Sequence, residues 1–473
     1  MRDFTTEFNV MARISQLEKY MEYVCEALGH ADRHTGFVDY GRALMLPISR
    51  KSVEPLAAQM DPWNTRAKHQ SLHHVVAKSQ WSDEAVLTRV REWVSPALKL
   101  AQGCYWIVDD TGFPKKGKHS VGVARQYCGQ VGKQDNCQVA VSLSLASEHG
   151  SVPMAWRLYL PQEWADDKRR REKAGVPEEL EFATKNEIAV AQIRAAKAAD
   201  VPIGVVLADP AYGNDTGFRE ALSAMELQYC VGVQSSSTVW TGSRGPRRPP
   251  VRKKRVRGRA ATLLRRDPNQ PPQSAKEAAL SLPSGAWRTM SWREGTNHTL
   301  RSRFAALRVR VAHRDYNRTR EREEEWLLIE WPHNEAEPRK YWLSSLPAKT
   351  SLKTLTHTAK ARWRIERDYQ ELKQEFGLGH YEGRGWCGFH HHASLCIAAY
   401  GFLLDQRLKG GGSKKNSARS KMPGLPEGYK PRGSRQDAAP RTGLHRHTSI
   451  SVRSSDHPTS GSMSMLREAH GLT

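Results

Sequence analysis

Two stretches of this chain end an apolar run in carboxylates. In WIVDDTG these are Asp109 and Asp110, and in VVLADPAYG the acid is Asp209. A strand sends successive side chains to opposite faces, so only one of Asp109 and Asp110 can join a given site. A carboxylate at the carboxyl end of a strand, beside a crevice in an open α/β sheet, suits a hard cation such as Mg²⁺. The two stretches share a form in which a small residue follows shortly after the acid, Asp110-Thr-Gly112 and Asp209-Pro-Ala211, and this favours Asp110 over Asp109. An Asx turn closing a hairpin uses the same residue types and is the competing reading of each stretch.

The third acid lies in AKARWRIERDYQELKQEFGLG, where Arg362, Glu366 and Lys373 are separated by four and seven residues and share one stripe of a helix. Ile365, Tyr369, Leu372 and Phe376 form a neighbouring apolar stripe that docks the helix on a core. The charged stripe then lies at the edge of that contact, and a solvated, salt-bridged face is its alternative. Two strand-end aspartates and a helical glutamate flanked by cations match the needs of two-metal phosphoryl transfer. Metals about 3.5–4 Å apart share carboxylate ligands, one activating the attacking oxygen and the other stabilising the leaving oxygen. Arg and Lys hold the nonbridging phosphate oxygens. The expected catalytic and metal-binding residues are Asp110, Asp209 and Glu366, with two Mg²⁺ ions as cofactors and Mn²⁺ as a substitute.

The elements that must position these residues follow from periodicity and punctuation. Residues 1–100 read as helical, and the best-marked helix places Ser82 as N-cap, Asp83 and Glu84 in the first turn, and AVLTRVREWV as its apolar stripe. From residue 101 to 233 the runs CYWIVDD, GVARQYCG and CQVAVSLSLAS are strand-like. The amphipathic EIAVAQIRAAKAA and then IGVVLADPAYG begin an alternation of helix and strand. This predicts an α/β layer with a mixed, partly parallel sheet. Residues 234–345 read as a β-rich basic insertion, and 346–408 as the helical end of the core, with one long helix over about 351–376. Residues 409–473, poor in apolar groups and rich in Gly, Ser, Pro and Arg, read as a disordered basic tail.

Charge points to the partner: 73 Lys and Arg against 50 Asp and Glu give a net charge of +23. Such a surface concentrates polyanions through counterion release, without sequence preference. Simple solubility is the bland alternative. Lys115, Lys116 and Lys118 follow the first acid pair, and Arg252, Lys253, Lys254 and Arg255 sit in a Pro- and Arg-rich stretch, so these are candidate grips on a DNA backbone. Arg125, Arg362 and Lys373 join the DNA-binding candidates. Trp240, Trp287, Trp292 and Trp386 can stack on an unpaired base or fill a core. His390, His391 and His392 are adjacent and cannot converge on one metal, so they read as structural or phosphate-facing. The seven cysteines lack any C-x-x-C pair, which argues against a disulfide framework or a cysteine zinc site. No run approaches the roughly 18 apolar residues of a membrane span, and a cytoplasmic, nucleoid-associated address is expected.

Arg362-x3-Glu366-x6-Lys373 resembles the signature of DDE-type transposases of bacterial insertion sequences, in the group with a Tyr-x2-Arg-x3-Glu-x6-Lys motif; Ala359 stands where that motif has tyrosine. The stretches WIVDDTGFPKKGKHSVGVARQYCGQVGKQDNCQVAV, LADPAYG and RWRIERDYQELKQEFGLGHYEGRGW are more narrowly similar to the insertion sequence 701 family, over about residues 30–400. The resemblance implies a ribonuclease-H-like core with Asp110, Asp209 and Glu366 as metal ligands, interrupted before the third acid by a mostly β insertion. It implies a transposase that cuts double-stranded DNA at the terminal inverted repeats of its element and joins the 3′ hydroxyl ends to target DNA. Assembly as a dimer or higher oligomer on DNA is expected. A catalytically silent DNA-binding derivative and a ribonuclease-H-like nuclease without transposition are the rival readings.

Overall fold

The computed structural model describes residues 4–242, 244–246, 262–294 and 299–410. Five helices come first: α1 (Phe4–Cys25), α2 (Asp32–Leu44), α3 (Val53–Met60), α4 (Thr65–Ala77) and α5 (Asp83–Leu98). Ser82 caps α5 by accepting the Ala85 N–H at 3.1 Å, and Val86, Leu87, Val90, Val94 and Leu98 are buried along one face, as the sequence predicted. Helices α2 and α4 carry so many charged and small residues that their periodicity is faint. Their packing depends on close approach, since a Cβ on Gly36 would stand 3.2 Å from the Val75 Cβ.

The sheet begins with β1 (Tyr105–Pro114), β2 (Ala124–Cys128), β3 (Lys133–Ala146) and β4 (Ser151–Leu158). Then come α6 (Gln162–Ala165), α7 (Lys168–Ala174), α8 (Lys185–Ala198), β5 (Val205–Ala208), α9 (Pro210–Gly213), α10 (Thr216–Ala224) and β6 (Tyr229–Val233). Strand β1 pairs in parallel with β5, and β5 in parallel with β6, while β3 flanks β1 antiparallel. This is the predicted mixed α/β arrangement, with Trp106, Ile107 and Val108 of β1 fully buried between its layers.

The span read as an insertion contributes β7 (Thr238–Thr241), β8 (Gln273–Ser274), α11 (Ala275–Leu280), β9 (Arg288–Glu294), β10 (Thr299–Val311), β11 (Glu325–Trp331) and β12 (Lys340–Ser344). These strands extend the same sheet, whose order is β2-β3-β1-β5-β6-β12-β11-β10-β7-β8, with β4 on β3 and β9 on β10. The junction is the antiparallel pairing of β12 with β6, Tyr341 opposite Val233. A second small core under these strands gathers Val239, Ala278, Val309, Leu327 and Leu343. The basic stretch Arg252–Arg255 and the tail 411–473 lie outside the described residues.

The chain closes with α12 (Leu352–Lys360), α13 (Trp363–Gln374) and α14 (Trp386–Gly410). One continuous helix over 351–376 was expected; instead Ala361 and Arg362 form a turn between two helices. The break has a packing reason. Leu355 and Ala359 of α12 bury toward the β6 and β9 side, whereas Ile365, Tyr369 and Leu372 of α13 bury toward β1, β4 and α14. Helix α14 is buried around most of its circumference, as a helix through the centre of a core must be. Among the described residues no helix is long and apolar enough to cross a membrane.

Candidate active site

Strand β1 runs past the end of its parallel neighbour, and this sets the site. The β1–β5 register ends with Ile107 opposite Leu207 and, carried two residues further, sets Asp109 against Asp209, the residue that follows β5. Asp209 caps α9, its carboxylate accepting the Ala211 N–H at 2.9 Å. Alternation then separates the two β1 acids. Asp109 pairs with Ser142 of β3, whose Oγ lies 2.7 Å from the Tyr369 hydroxyl of α13, so Asp109 shares the face that α13 covers. Its Oδ2 accepts from Arg362 Nη1 at 2.8 Å, and Arg362 Nη2 donates to Glu366 Oε1, also at 2.8 Å. Asp110 lies toward α8, where Lys185 Nζ donates to its Oδ2 at 2.8 Å.

The preference for Asp110 drawn from local form therefore meets a different geometry. Asp109 is the β1 acid that shares a guanidinium with Glu366. Asp110 still acts on Asp209, whose pKa is raised first by burial, against the pull of Arg362, and further by the charge of Asp110. Burial pushes Asp109 up to about 7, opposed by Arg362 and reinforced by Asp209 and Asp110. Burial also works against the charge on Arg362, but Asp109, Glu366 and Asp209 together outweigh it and hold its pKa above the ordinary value. Glu366 itself projects outward, with its side chain 64% exposed.

Lys373, two turns beyond Glu366, reaches back over β1. Its Nζ donates to the Gly112 carbonyl at 2.9 Å and to Gln130 Oε1 at 3.0 Å, and burial lowers its pKa to about 8. The charged stripe Arg362–Glu366–Lys373 thus lies along the overhanging end of β1, at the edge of the α13 contact. Lys116, Lys118 and Arg125 are exposed beyond it, while Lys115 is half-buried and donates to the Tyr381 carbonyl at 2.8 Å. A cavity of about 310 Å³ opens beside the acids, bounded by Asp209, Glu366, Trp292, Trp363, Arg339 and Lys340. Ala359, at the place of the expected tyrosine, lines the same cavity.

Other candidates are accounted for by packing. Trp240 is buried with its Nε1 on Asp315 at 2.7 Å, Trp287 packs edge-on to Trp331, and Trp386 lies against His390; of the four tryptophans singled out, Trp292 borders the cavity. The three histidines are structural pins. His390 Nε2 accepts the Leu158 N–H at 3.2 Å, His391 stacks on Trp81 at 3.5 Å, and His392 lies 3.0 Å from the Tyr40 hydroxyl. Burial lowers His391 and His392 to about 4, so both rings are neutral near pH 7. Sequence reasoning missed Lys185. The signal was the capping box Thr184-x-x-Glu187, which fixes the start of α8 and with it the reach of Lys185 to Asp110.

Three carboxylates are donors suited to a hard divalent cation. As the side chains stand, no three His, Cys, Asp or Glu groups among the described residues converge to hold one. The Arg362 guanidinium lies between Asp109 and Glu366 in that arrangement.

Residues 23–299 match the family model described as DDE superfamily endonuclease, a span that holds Asp109, Asp110 and Asp209. The chain belongs to this DDE endonuclease family. The matched span ends before Glu366. Over 171 residues the chain is also 33% identical to a protein of Microchaete diplosiphon described as a probable transposase for insertion sequence element IS701. That similarity covers 36% of this DDE endonuclease and 42% of the relative.

Proposed function

We propose that the chain is a transposase that cuts double-stranded DNA at the terminal inverted repeats of its mobile element and joins the 3′ hydroxyl ends to target DNA. The observation that carries this is the level placement of Asp109 and Asp209 beside Arg362 and Glu366, at the overhanging end of β1. Family membership and similarity to a probable insertion-sequence transposase support it. The core is read as ribonuclease-H-like, with a parallel β1–β5–β6 centre flanked by antiparallel strands and a helix that brings in the third acid.

Asp109, Asp209 and Glu366 are the residues proposed to hold two Mg²⁺ ions, or Mn²⁺ in their place. Asp110 is the alternative to Asp109. Bound cations would activate the attacking oxygen and stabilise the leaving one. The chain's own part is to place the phosphate: Arg362 and Lys373 hold nonbridging oxygens, and Lys116, Lys118 and Arg125 grip the backbone without reading sequence. Trp292, at the cavity beside the acids, offers a face to an unpaired base. Assembly as a dimer or higher oligomer on DNA belongs to the same proposal.

The test is incubation of the purified protein and Mg²⁺ with a plasmid that carries the sequences bordering the gene, followed by sequencing of the product ends. Cuts at the element ends with joining to new sites support transposition. Cuts without joining support a nuclease, and binding without cuts a silent derivative.

A further inference from the structure

Arg362 engages two acids of the site at once, each at 2.8 Å, and a third, Asp209, adds its attraction. Its side chain is only 24% exposed, so this is a held position rather than a surface pairing. The residue stands in the turn between α12 and α13, where backbone is not committed to one continuous helix. A guanidinium is a planar fork that fits carboxylates and phosphates alike, so the same group can be exchanged from one to the other.

We infer that Arg362 is an internal counter-ion which DNA must draw away before the acids can take up divalent cations, so that cation binding and DNA binding are coupled. The inference rests on the function proposed above. With the guanidinium in place, Asp109 and Glu366 share one built-in positive charge, with which an incoming cation must compete. Transfer of the fork to a phosphate leaves Asp109 and Glu366 without that partner close to Asp209. Like charges so placed repel until a cation joins them. By reciprocity, cations then strengthen DNA binding by the same factor. The chain alone would remain poorly loaded and would assemble its nuclease centre only on DNA.

The test follows Mn²⁺ binding to the full chain by electron paramagnetic resonance, alone and with a linear duplex carrying the sequence that borders the gene. The duplex should tighten Mn²⁺ binding roughly 5- to 150-fold, the usual span of such coupling. Arg362→Ala should tighten binding without the duplex and remove most of the duplex effect. Arg367→Ala removes the same charge from α13 at a residue that is 60% exposed and paired with Glu371, and it should keep the duplex effect. Equal Mn²⁺ affinity of the wild type with and without the duplex overturns the inference, as does an Arg362→Ala protein that keeps the full effect. The functional reading is judged separately: Asp209→Ala and Glu366→Ala should both weaken Mn²⁺ binding with the duplex present. Unchanged binding in both removes the metal site itself.

Discussion

The Tyr369 hydroxyl and Ser142 Oγ meet at 2.7 Å inside the protein, and Ser142 is the β3 residue that faces Asp109 across the sheet. This one bond ties the helix bearing Glu366 to the strand pair bearing Asp109. Both groups are buried, so removing one leaves the other without a partner, at a cost of about 1–3 kcal/mol. Tyr369→Phe should lower the free energy of unfolding in a urea titration by that amount, with a matching fall in midpoint. The double variant Tyr369→Phe, Ser142→Ala should lose less than the sum of the two single changes. Additive losses in that cycle would mean that the bond does not hold the helix.

The two β1 acids predict unequal outcomes. Asp109→Asn removes the carboxylate that shares Arg362 with Glu366, and it should abolish Mg²⁺-dependent nicking of a duplex bearing the element ends. Asp209→Asn and Glu366→Gln should do the same, while binding of the duplex in metal-free buffer is retained in all three. Asp110→Asn removes a partner of Lys185 and should leave measurable nicking. The reverse order, with Asp110→Asn silent and Asp109→Asn active, would return the first place in the site to Asp110.

Much of this site was legible in the sequence, and the parts that were not have particular causes. Strand alternation said that Asp109 and Asp110 must part company. Which of them faces the site depends on which side of β1 the distant α13 covers, and no local pattern carries that. The Arg362, Glu366 and Lys373 stripe follows from helical spacing alone. The break at Ala361 does not, because it arises from α12 and α13 docking on different neighbours. That the strands of the 234–345 insertion continue the core sheet was not legible either, because the junction is the pairing of Tyr341 with Val233, which is invisible to local periodicity.

Buried acids predict how stability changes with pH. Burial pushes Asp109 and Asp368 up to about 7, whereas the unfolded chain has carboxylates near about 3.9. Between those values the folded chain holds protons that the unfolded chain has released. This contribution to stability is fully present below the unfolded value and is lost as pH rises through about 7. In metal-free buffer the urea midpoint should therefore fall as pH is raised across that window. Asp368 is buried against Ser151 Oγ at 2.7 Å and the Tyr400 hydroxyl at 2.9 Å, so Asp368→Asn should flatten part of the fall. A midpoint that climbs through the same window would show that other groups dominate.

Lysine 373 gives a second pH signature, in DNA binding. Burial lowers its pKa to about 8, so its charge is lost on the alkaline side of neutrality in the free protein. If its ammonium grips phosphate, affinity for a short duplex at fixed salt should drop as pH rises from about 7 to about 9. Lys373→Arg keeps the charge throughout that range and should bind with a flatter profile. Identical profiles for the two proteins would place Lys373 outside the DNA contact.

Lys360 links the β-rich half of the sheet to the site. Lys360 Nζ lies 2.6 Å from Glu330 Oε2 of β11 and 4.2 Å from the ring centre of Trp292, two residues before Arg362 in the chain. Their side chains are only 14% and 7% exposed, so Lys360→Met strands a nearly buried carboxylate. Breaking such a pair from one side costs about 3–5 kcal/mol, with the lower end expected for a pair that still touches solvent. Lys360→Met, Glu330→Gln removes both charges and should regain a large part of that loss. If the lysine also sets the turn that carries Arg362, nicking should remain impaired in the double variant after stability has recovered. Nicking that recovers in step with stability would limit Lys360 to a structural role.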